Sequence, residues 1–369
     1  MTAPSNETIV VKVGSSLLVN EDASLRRDWV QTLVSDIAQR HADGASVIIV
    51  SSGSIALGAR KLGLKKGGRA SLSDAQAAAS VGQIALSSLW SELLAEHGIT
   101  AAQMLLTLDD MENRKRYLNA TATLEKLLEH RAIPVINEND SVATDEIRFG
   151  DNDRLAARVA QAASADRVIL LSDIDGLYDR TPGSETEGQI IGLVEEVDAR
   201  IMAMADGSTS SGLGSGGMIS KLEAARIANL AGIEMSIISG REDYPLERYA
   251  LSGVGTLFKA SGNANARKSW LGGGLTSAGT IMVDAGAAEA LRGGGSLLAA
   301  GIITISGQFD RSDVVEITDP DENIIARGLA EYNAMDCVKL IGHRNSEHEA
   351  LLGYTPRSAV VHRNQMVLV

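Results

Sequence analysis

Strand-like and helix-like segments alternate along the first two thirds of the chain, and this alternation constrains the fold more than any other feature. Short runs rich in β-branched residues, such as residues 9–13 and 47–50, predict buried strands. Between them, residues 25–41 carry apolar side chains at a spacing typical of an amphipathic helix. Helical crossovers of this kind join parallel strands. The pattern therefore predicts an α/β protein: a three-layer α/β/α arrangement around a mostly parallel sheet.

The remaining segments of this part follow the same alternation. Further strands are predicted at residues 103–106, 132–136, 168–171 and 235–238. Further helices are predicted at residues 73–96, 112–131, 153–163 and 220–231.

The last third of the chain has a different character, and 369 residues are more than one ordinary domain needs. Short β-rich runs occur there, at residues 280–283, 302–306, 314–318, 324–330 and 359–361. Turn residues separate these runs, which is typical of a small all-β barrel. We therefore expect one domain at residues 1–261, a Gly-rich linker at residues 262–276 and a second domain at residues 277–369.

An unusual polar cluster follows the predicted strand at residues 132–136. Residues 135–153 read VINENDSVATDEIRFGDND and contain six carboxylates. One interpretation is a solvated acidic loop. The other is a ligand site, because carboxylates held together repel one another unless a cation offsets them. Open α/β sheets bind their ligands at the carboxyl ends of their strands, where this cluster lies.

Small and polar residues mark the ends of other predicted strands as well. Lys12 and Gly14 lie at the end of the first strand, Ser52-Gly53 follow the second, and Ser172-Asp173 follow the strand at residues 168–171. Small residues let backbone amides approach a ligand closely, and helix N-termini favour anions. Because several such turns converge on one sheet edge, they indicate a single site.

A glycine-rich loop at residues 208–221 reads STSSGLGSGGMISK. It is either a flexible linker or a phosphate-binding loop that ends in Lys221. It does not match the Walker A pattern, GxxxxGK[ST], which is absent from the chain. By itself this loop is a weak indication.

Composition limits the classes of function. The formal net charge of −13 disfavours general nucleic-acid binding, which needs a basic face. Residues 276–369 contain 7 Lys and Arg against 12 Asp and Glu, which argues against RNA binding there. The single cysteine, Cys337, is compatible with a reducing compartment. No apolar run is long enough to span a membrane and no secretory signal pattern is present, so we expect a cytoplasmic protein. We expect His343 and His348 at the surface.

Six motifs occur in a fixed order: KVGSS at 12–16, SSGSIALG at 51–58, VINEND at 135–140, FGDND at 149–153, LLSDIDGLY at 170–178 and GSGGMISK at 214–221. Together they resemble the amino acid kinase family. The pairing of VINEND with GDND is similar to the branch of that family that phosphorylates glutamate. SLLAAGI at residues 296–302 resembles the core motif of the PUA domain. The family often has Thr where this chain has Ser15, Ser51 and Ser172, and all three keep a hydroxyl group.

This resemblance implies an activity and a set of site residues. The activity is ATP-dependent phosphorylation of the side-chain carboxylate of L-glutamate, the first step of proline biosynthesis, with Mg²⁺ held mainly by ATP. The implied catalytic residues are Lys12 and Lys221, with Asp153 organising both. The implied glutamate-binding residues are Ser52, Asp140 and Asn152, with Asn137 and Asp151 as second choices. The implied ATP-binding residues are Lys12, Gly14, Gly53, Ser172, Asp173, Ser215, Gly216, Gly217, Met218, Ile219, Ser220 and Lys221. Met218 packs either on the adenine or under its own loop.

The resemblance also implies partners: proline as an inhibitor, further copies of the chain in a dimer or tetramer, and transient contact with glutamyl phosphate reductase. It implies no membrane as a partner, and the acidic charge balance argues against RNA as a partner. Two alternatives remain. A related kinase would act on a different small acid. An RNA-binding or regulatory protein on a kinase-like fold would have lost the charged residues of the site.

Overall fold

The computed structural model describes residues 7–20, 24–142, 151–180, 188–205, 217–260, 277–357 and 359–368. The side chains of Asp151 and Asn364 also lie outside this description. The chain divides into two compact units, Met1–Gly262 and Asn263–Val369. The expected linker at residues 262–276 lies outside the described residues, and so does most of the glycine-rich loop.

The first unit is built on an eight-stranded sheet. Its strands are β1 (Thr8–Val13), β2 (Ser46–Val50), β3 (Ala101–Leu106), β4 (Ile133–Glu138), β5 (Arg167–Ser172), β6 (Leu193–Val194), β7 (Glu234–Ser239) and β8 (Thr256–Phe258). Their order across the sheet is β3-β4-β2-β1-β5-β7-β8-β6. The described strands pair in parallel except for β7 and β8, which are antiparallel. The predicted mostly parallel α/β sheet is confirmed.

Position in the sheet explains the sequence of each strand. The central strands β1 and β5 are buried along nearly their whole length, so apart from Lys12 and their end residues they are apolar runs without alternation. Strand β3 lies at one edge and is only partly covered, which is why the polar Gln103 is tolerated there.

The helices of the first unit cover the sheet. They are α1 (Ser15–Leu18), α2 (Arg27–Ala42), α3 (Ser54–Leu62), α4 (Leu72–Ala95), α5 (Leu108–Glu112), α6 (Arg114–Glu129), α7 (Asp151–Ala162), α8 (Ala199–Ala205), α9 (Gly217–Leu230) and α10 (Pro245–Ser252). None of the helices that the structure describes is long and apolar enough to cross a membrane.

The helix predicted at residues 112–131 is confirmed as α6, which begins two residues later, at Arg114. Asn113 has extended backbone angles and separates α5 from α6. Its side chain accepts a hydrogen bond from the backbone N–H of Arg116 and so caps α6. Thr107 and Asp110 form a capping box that begins α5. These local caps, and not the apolar spacing, decide where each helix begins.

The second unit contains a five-stranded sheet with the order β10-β9-β11-β12-β13. Its strands are β9 (Gly279–Val283), β10 (Ile302–Gly307), β11 (Val314–Thr318), β12 (Ile324–Leu329) and β13 (Met366–Leu368). Among the described residues of this unit, three helices accompany the sheet, which the β-rich runs did not predict: α11 (Ala285–Arg292), α12 (Ala334–Leu340) and α13 (Asn345–Leu352).

Two expectations for this unit are wrong. Residues 359–361 do not form one of the sheet strands, since Val361 makes an isolated bridge with Leu297 and the strand beside β12 is β13. Val360 and Val361 are apolar because they pack in the core of the unit. His348 is buried, at 2% exposure, and its ring Nε2 lies 3.2 Å from the carbonyl oxygen of His343.

In the first unit, helices α3 and α4 cross with their backbones in close contact at two glycines. A Cβ on Gly58 would lie 1.7 Å from the carbonyl oxygen of Ala78, and a Cβ on Gly82 would lie 1.8 Å from that of Ser54. No side chain fits at either position without moving a helix backbone. The crossing therefore holds the start of α3 against the middle of α4.

We predict that Gly58→Ala destabilises the protein by about 1–3 kcal/mol, because the added methyl group overpacks this crossing and outweighs the better helix propensity of alanine. The free energy of unfolding in urea measures the effect. Gly192→Ala is the matched control, since a Cβ at Gly192 meets no atom within 4 Å. Equal stability of Gly58→Ala and the parent protein would contradict the prediction.

Candidate active site

The polar strand ends of the first unit converge on one edge of the sheet. Strands β4, β2, β1 and β5 are neighbours and run in parallel, so their carboxyl ends open on the same side. Gly14 follows β1, Ser52 follows β2, Asp140 follows β4 and Asp173 follows β5. Gly53 is the N-cap of α3 and has a φ of 103°, a left-handed conformation that favours glycine.

A buried carboxylate with two lysines lies at the centre of this edge. Asp153, in the first turn of α7, is 1% exposed. Its Oδ1 lies 2.5 Å from the Nζ of Lys12, at the end of β1, and its Oδ2 lies 3.2 Å from the Nζ of Lys221, on α9. Ser220 donates a hydrogen bond to the same Oδ2 at 3.0 Å. Two ammonium groups and one carboxylate leave a net charge of +1, which favours an anionic ligand.

The ionised state of Asp153 depends on its partners. Burial alone would raise the pKa of its carboxyl group, but the charges of Lys12 and Lys221 and the bonds from Lys12 and Ser220 bring that pKa down to about 2. Because this is below the unfolded value of about 3.9, ionised Asp153 stabilises the fold above that value, and the contribution is lost as pH falls toward 2. Burial lowers the pKa of the Lys12 ammonium group, an effect that the charge of Asp153 opposes.

Neutral side chains next to Asp153 form a second cluster. The amide Nδ2 of Asn152 donates to the hydroxyl oxygen of Ser52 at 2.8 Å and to Oδ1 of Asn137 at 3.1 Å. Asn137 is 2% exposed. Since Asn152 and Asp153 are consecutive residues of α7, one helix start carries both the amide cluster and the buried charges.

The amide cluster continues to a second carboxylate. The Nδ2 of Asn137 donates to Ser54 Oγ at 3.3 Å and to Gln83 Oε1 at 2.7 Å. The Ser54 hydroxyl donates to Oδ2 of Asp140 at 3.3 Å. Asp140 is 7% exposed. The geometry thus joins Ser52, Asn137, Asn152 and Asp140, four of the residues predicted to bind the substrate.

The predicted nucleotide-binding residues are described in part. Ser172 is buried, and its hydroxyl donates to Oδ1 of the exposed Asp173 at 3.2 Å. Gly217 begins α9, Met218 is buried and Ile219 is exposed. Ser215, Gly216 and the side chain of Asp151 lie outside the described residues. Within the described part of the chain, no three His, Cys, Asp or Glu side chains form a group that could hold a metal ion.

Sequence reasoning missed Ser54, Gln83 and Arg69. Ser54 lies in the SSGSIALG motif, and its place in that motif could have indicated that it belongs to the site. Gln83 lies in an Ala-rich helix and has no local signal, because its place follows from the crossing of α3 and α4. Burial lowers the pKa of the Arg69 guanidinium, and the nearby charge of Asp140 opposes this shift.

Comparisons with known proteins agree with the motifs. The family model "Amino acid kinase family" matches residues 7–239, and the "PUA domain" model matches residues 279–352. The chain is 61% identical to "Glutamate 5-kinase" of Novosphingobium aromaticivorans over 98% of this chain and 96% of that protein. It is 58% identical to "Glutamate 5-kinase" of Sphingopyxis alaskensis over 98% of this chain and 97% of that protein.

These matches confirm the resemblance to a kinase domain with a C-terminal PUA domain. They do not favour an RNA-binding or regulatory protein that has lost its site. In addition, Lys12, Asp153 and Lys221, which such a protein would have lost, are all present and paired. The chain therefore belongs to the amino acid kinase family, as the match of the family model to residues 7–239 and the similarity to two glutamate 5-kinases show.

Proposed function

We propose that this protein transfers the γ-phosphoryl group of ATP to the side-chain carboxylate of L-glutamate, giving L-glutamyl 5-phosphate and ADP, the first step of proline biosynthesis. One observation carries the proposal: the Lys12–Asp153–Lys221 group lies beside the amide cluster that leads to Asp140. A positive site for phosphoryl transfer and a polar site for a small amino acid thus meet at α7. The similarity to glutamate 5-kinases favours glutamate as that amino acid.

The acceptor needs no general base. The side-chain carboxyl group of glutamate has an ordinary pKa of about 4.3, so it is already ionised at neutral pH. One of its oxygens attacks the γ-phosphorus, and the bond between that phosphorus and the β–γ bridging oxygen breaks. Catalysis therefore rests on positioning and on charge stabilisation.

Lys12 and Lys221 supply the charge stabilisation. Phosphoryl transfer spreads negative charge over the transferring oxygens in a loose transition state. Asp153 fixes both ammonium groups and leaves them with a net charge of +1 to offset the negative charge. Since Asp153 already binds two ammonium groups, it does not act as a base.

ATP would be held by the turns and helix start at the same sheet edge. Backbone amides of Gly14 and Gly53 meet the phosphates, with contacts from Ser172, Asp173 and the segment from Ser215 to Lys221. The start of α9 favours negative charge. Mg²⁺, when bound, neutralises phosphate charge and takes most of its ligands from ATP and water, as is usual for this ion.

Glutamate would be held by Ser52, Asp140 and Asn152, with Asn137 and Asp151 as additional candidates. Its α-ammonium group needs an acceptor, for which the Asp140 carboxylate is suited. Its α-carboxylate needs neutral donors, which the Ser52 hydroxyl or the Asn152 amide offers.

Regulation and assembly are proposed from the resemblance. Proline would inhibit the kinase activity. In the cytoplasm, the product would pass to glutamyl phosphate reductase during a transient contact, which co-sedimentation of the two enzymes would reveal. Copies of the chain would form a dimer or tetramer; a monomer mass in light scattering at working concentration would refute this.

We predict ATP turnover that depends on glutamate. ADP release with Mg²⁺ and ATP is compared for glutamate, aspartate and N-acetylglutamate, and hydroxylamine traps the acyl phosphate as a hydroxamate. Of the three acids, only glutamate should give both ADP and hydroxamate. Turnover with another acid only would overturn the proposed substrate, and no turnover with any acid would overturn the proposed reaction.

We predict that Lys12→Met and Lys221→Met each lower kcat by about 100-fold or more, because each removes one positive charge from the transition state. The KM for glutamate should change little. Lys126→Met is the control, since Lys126 forms an exposed ion pair with Glu129. A kcat within about tenfold of the parent value for either variant, once folding is verified by circular dichroism, contradicts its proposed role.

We predict that proline competes with glutamate. Both ligands carry an α-carboxylate and a cationic nitrogen, the groups that Ser52 and Asp140 are suited to bind. Added proline should raise the KM for glutamate and leave kcat unchanged. N-acetylproline lacks the cationic nitrogen and serves as the inactive control. Unchanged activity with proline at subsaturating glutamate would show that the idea is wrong.

A further inference from the structure

The direction of each hydrogen bond in the amide cluster can be derived from Asp140. An ionised carboxylate only accepts hydrogen bonds. Ser54 therefore gives its single hydroxyl proton to Asp140 Oδ2, at 3.3 Å. Its oxygen can then only accept from Asn137, so the atom that Asn137 turns toward Ser54 must be its Nδ2, at 3.3 Å. The charge of Asp140 thus favours the orientation in which Asn137 Nδ2 faces Ser54, through one contact of 3.3 Å.

Gln83 completes this constraint. The second N–H of Asn137 Nδ2 points to Gln83 Oε1 at 2.7 Å, the shortest contact of the cluster. Gln83 must therefore present its oxygen. It reaches this position because Gly82, the preceding residue, lets α4 approach the carbonyl oxygen of Ser54 at the start of α3. Asn137 is then held from two sides, by α3 and by α4.

The same constraint passes to the two residues that are proposed to touch glutamate. With its Nδ2 committed to Ser54 and Gln83, Asn137 presents Oδ1 to Asn152. Asn152 therefore donates both of its N–H groups, one to Asn137 Oδ1 at 3.1 Å and one to Ser52 Oγ at 2.8 Å. An amide nitrogen carries only two protons, so Asn152 has none left for a ligand.

Two complementary groups remain available. The buried Oδ1 of Asn152 accepts no hydrogen bond from any residue that the structure describes. Leaving such a buried acceptor without a donor is unfavourable. The Ser52 oxygen accepts from Asn152, so its own proton can be donated to a ligand. This pair suits an amino acid, with an ammonium group for Asn152 and a carboxylate for Ser52.

We propose that Gln83 is a positioning residue for the amino acid substrate: by fixing the Asn137 amide it makes Asn152 an acceptor and Ser52 a donor. This inference rests on the proposed function and narrows it: the α-carboxylate is assigned to Ser52 and not to the Asn152 amide, whose Oδ1 joins Asp140 in accepting from the α-ammonium group. Gln83 itself touches neither substrate in this scheme. It acts through Asn137 and Asn152.

Two variants separate this role from packing. Gln83→Met keeps the size of the side chain but removes the acceptor, so Asn137 can turn and the KM for glutamate should rise about ten-fold, the effect of one hydrogen bond to a polar ligand. The KM for ATP should stay unchanged, since the Lys12–Asp153–Lys221 group is untouched. Gln83→Glu keeps an acceptor at the same place and should stay within about threefold of the parent KM for glutamate. Gln31→Met, on the exposed face of α2, is the control.

The outcomes decide the proposal. A raised KM for glutamate in Gln83→Met with recovery in Gln83→Glu supports it, provided the melting temperatures match. A parent-like KM in Gln83→Met, or equal damage in both variants, overturns it. If Gln83→Met does not fold, a raised KM for glutamate in Gln83→Glu still overturns the proposal, because retention of one acceptor must preserve the KM. Absence of glutamate turnover in the parent protein would instead overturn the proposed function, and the role of Gln83 with it.

Discussion

The buried carboxylate of Asp153 is the interaction on which the rest of the site depends. It joins the end of β1, through Lys12, to the start of α9, through Ser220 and Lys221. Removal of one partner of a buried ion pair typically costs about 3–5 kcal/mol, because the other charge is left without compensation. The three segments are therefore held at fixed positions before any ligand arrives. Such preorganised charge is what phosphoryl transfer requires of a protein.

The two halves of the site are coupled because Asn152 and Asp153 are adjacent in α7. Asp153 faces the lysines, and Asn152 faces Ser52 and Asn137. A rotation or shift of this helix start would disturb both the positive group and the amide cluster. The glycine crossing of α3 and α4 supports the amide cluster from the other side, since it brings Ser54 and Gln83 to the same amide. The polar site therefore depends on helix packing as well as on strand ends.

The sequence predicted the fold class and one polar sheet edge because both leave local traces, whereas the grouping of Lys12, Asp153 and Lys221 was implied by the resemblance to the amino acid kinase family. Buried parallel strands are apolar runs, and strand-end motifs lie at one sheet edge by topology alone. Gln83 left no such trace, since its role comes from a tertiary crossing that two glycines permit. The start of α6 at Arg114 depended on the cap formed by Asn113. Burial of His348 was likewise a tertiary outcome that its polar neighbours concealed.

The ionisation of Asp153 is the most direct measurement of the claim that two protonated lysines share one buried carboxylate. Carbon NMR of protein labelled at aspartate carboxyl carbons, with Asp153→Asn to assign the signal, follows this group as pH falls. We predict that the resonance stays at its ionised position down to about pH 4, because the pKa of Asp153 lies at about 2. An ordinary aspartate, with a pKa of about 3.9, would be about half protonated at that pH. A titration midpoint at or above the ordinary aspartate value would contradict the charged group and the mechanism built on it.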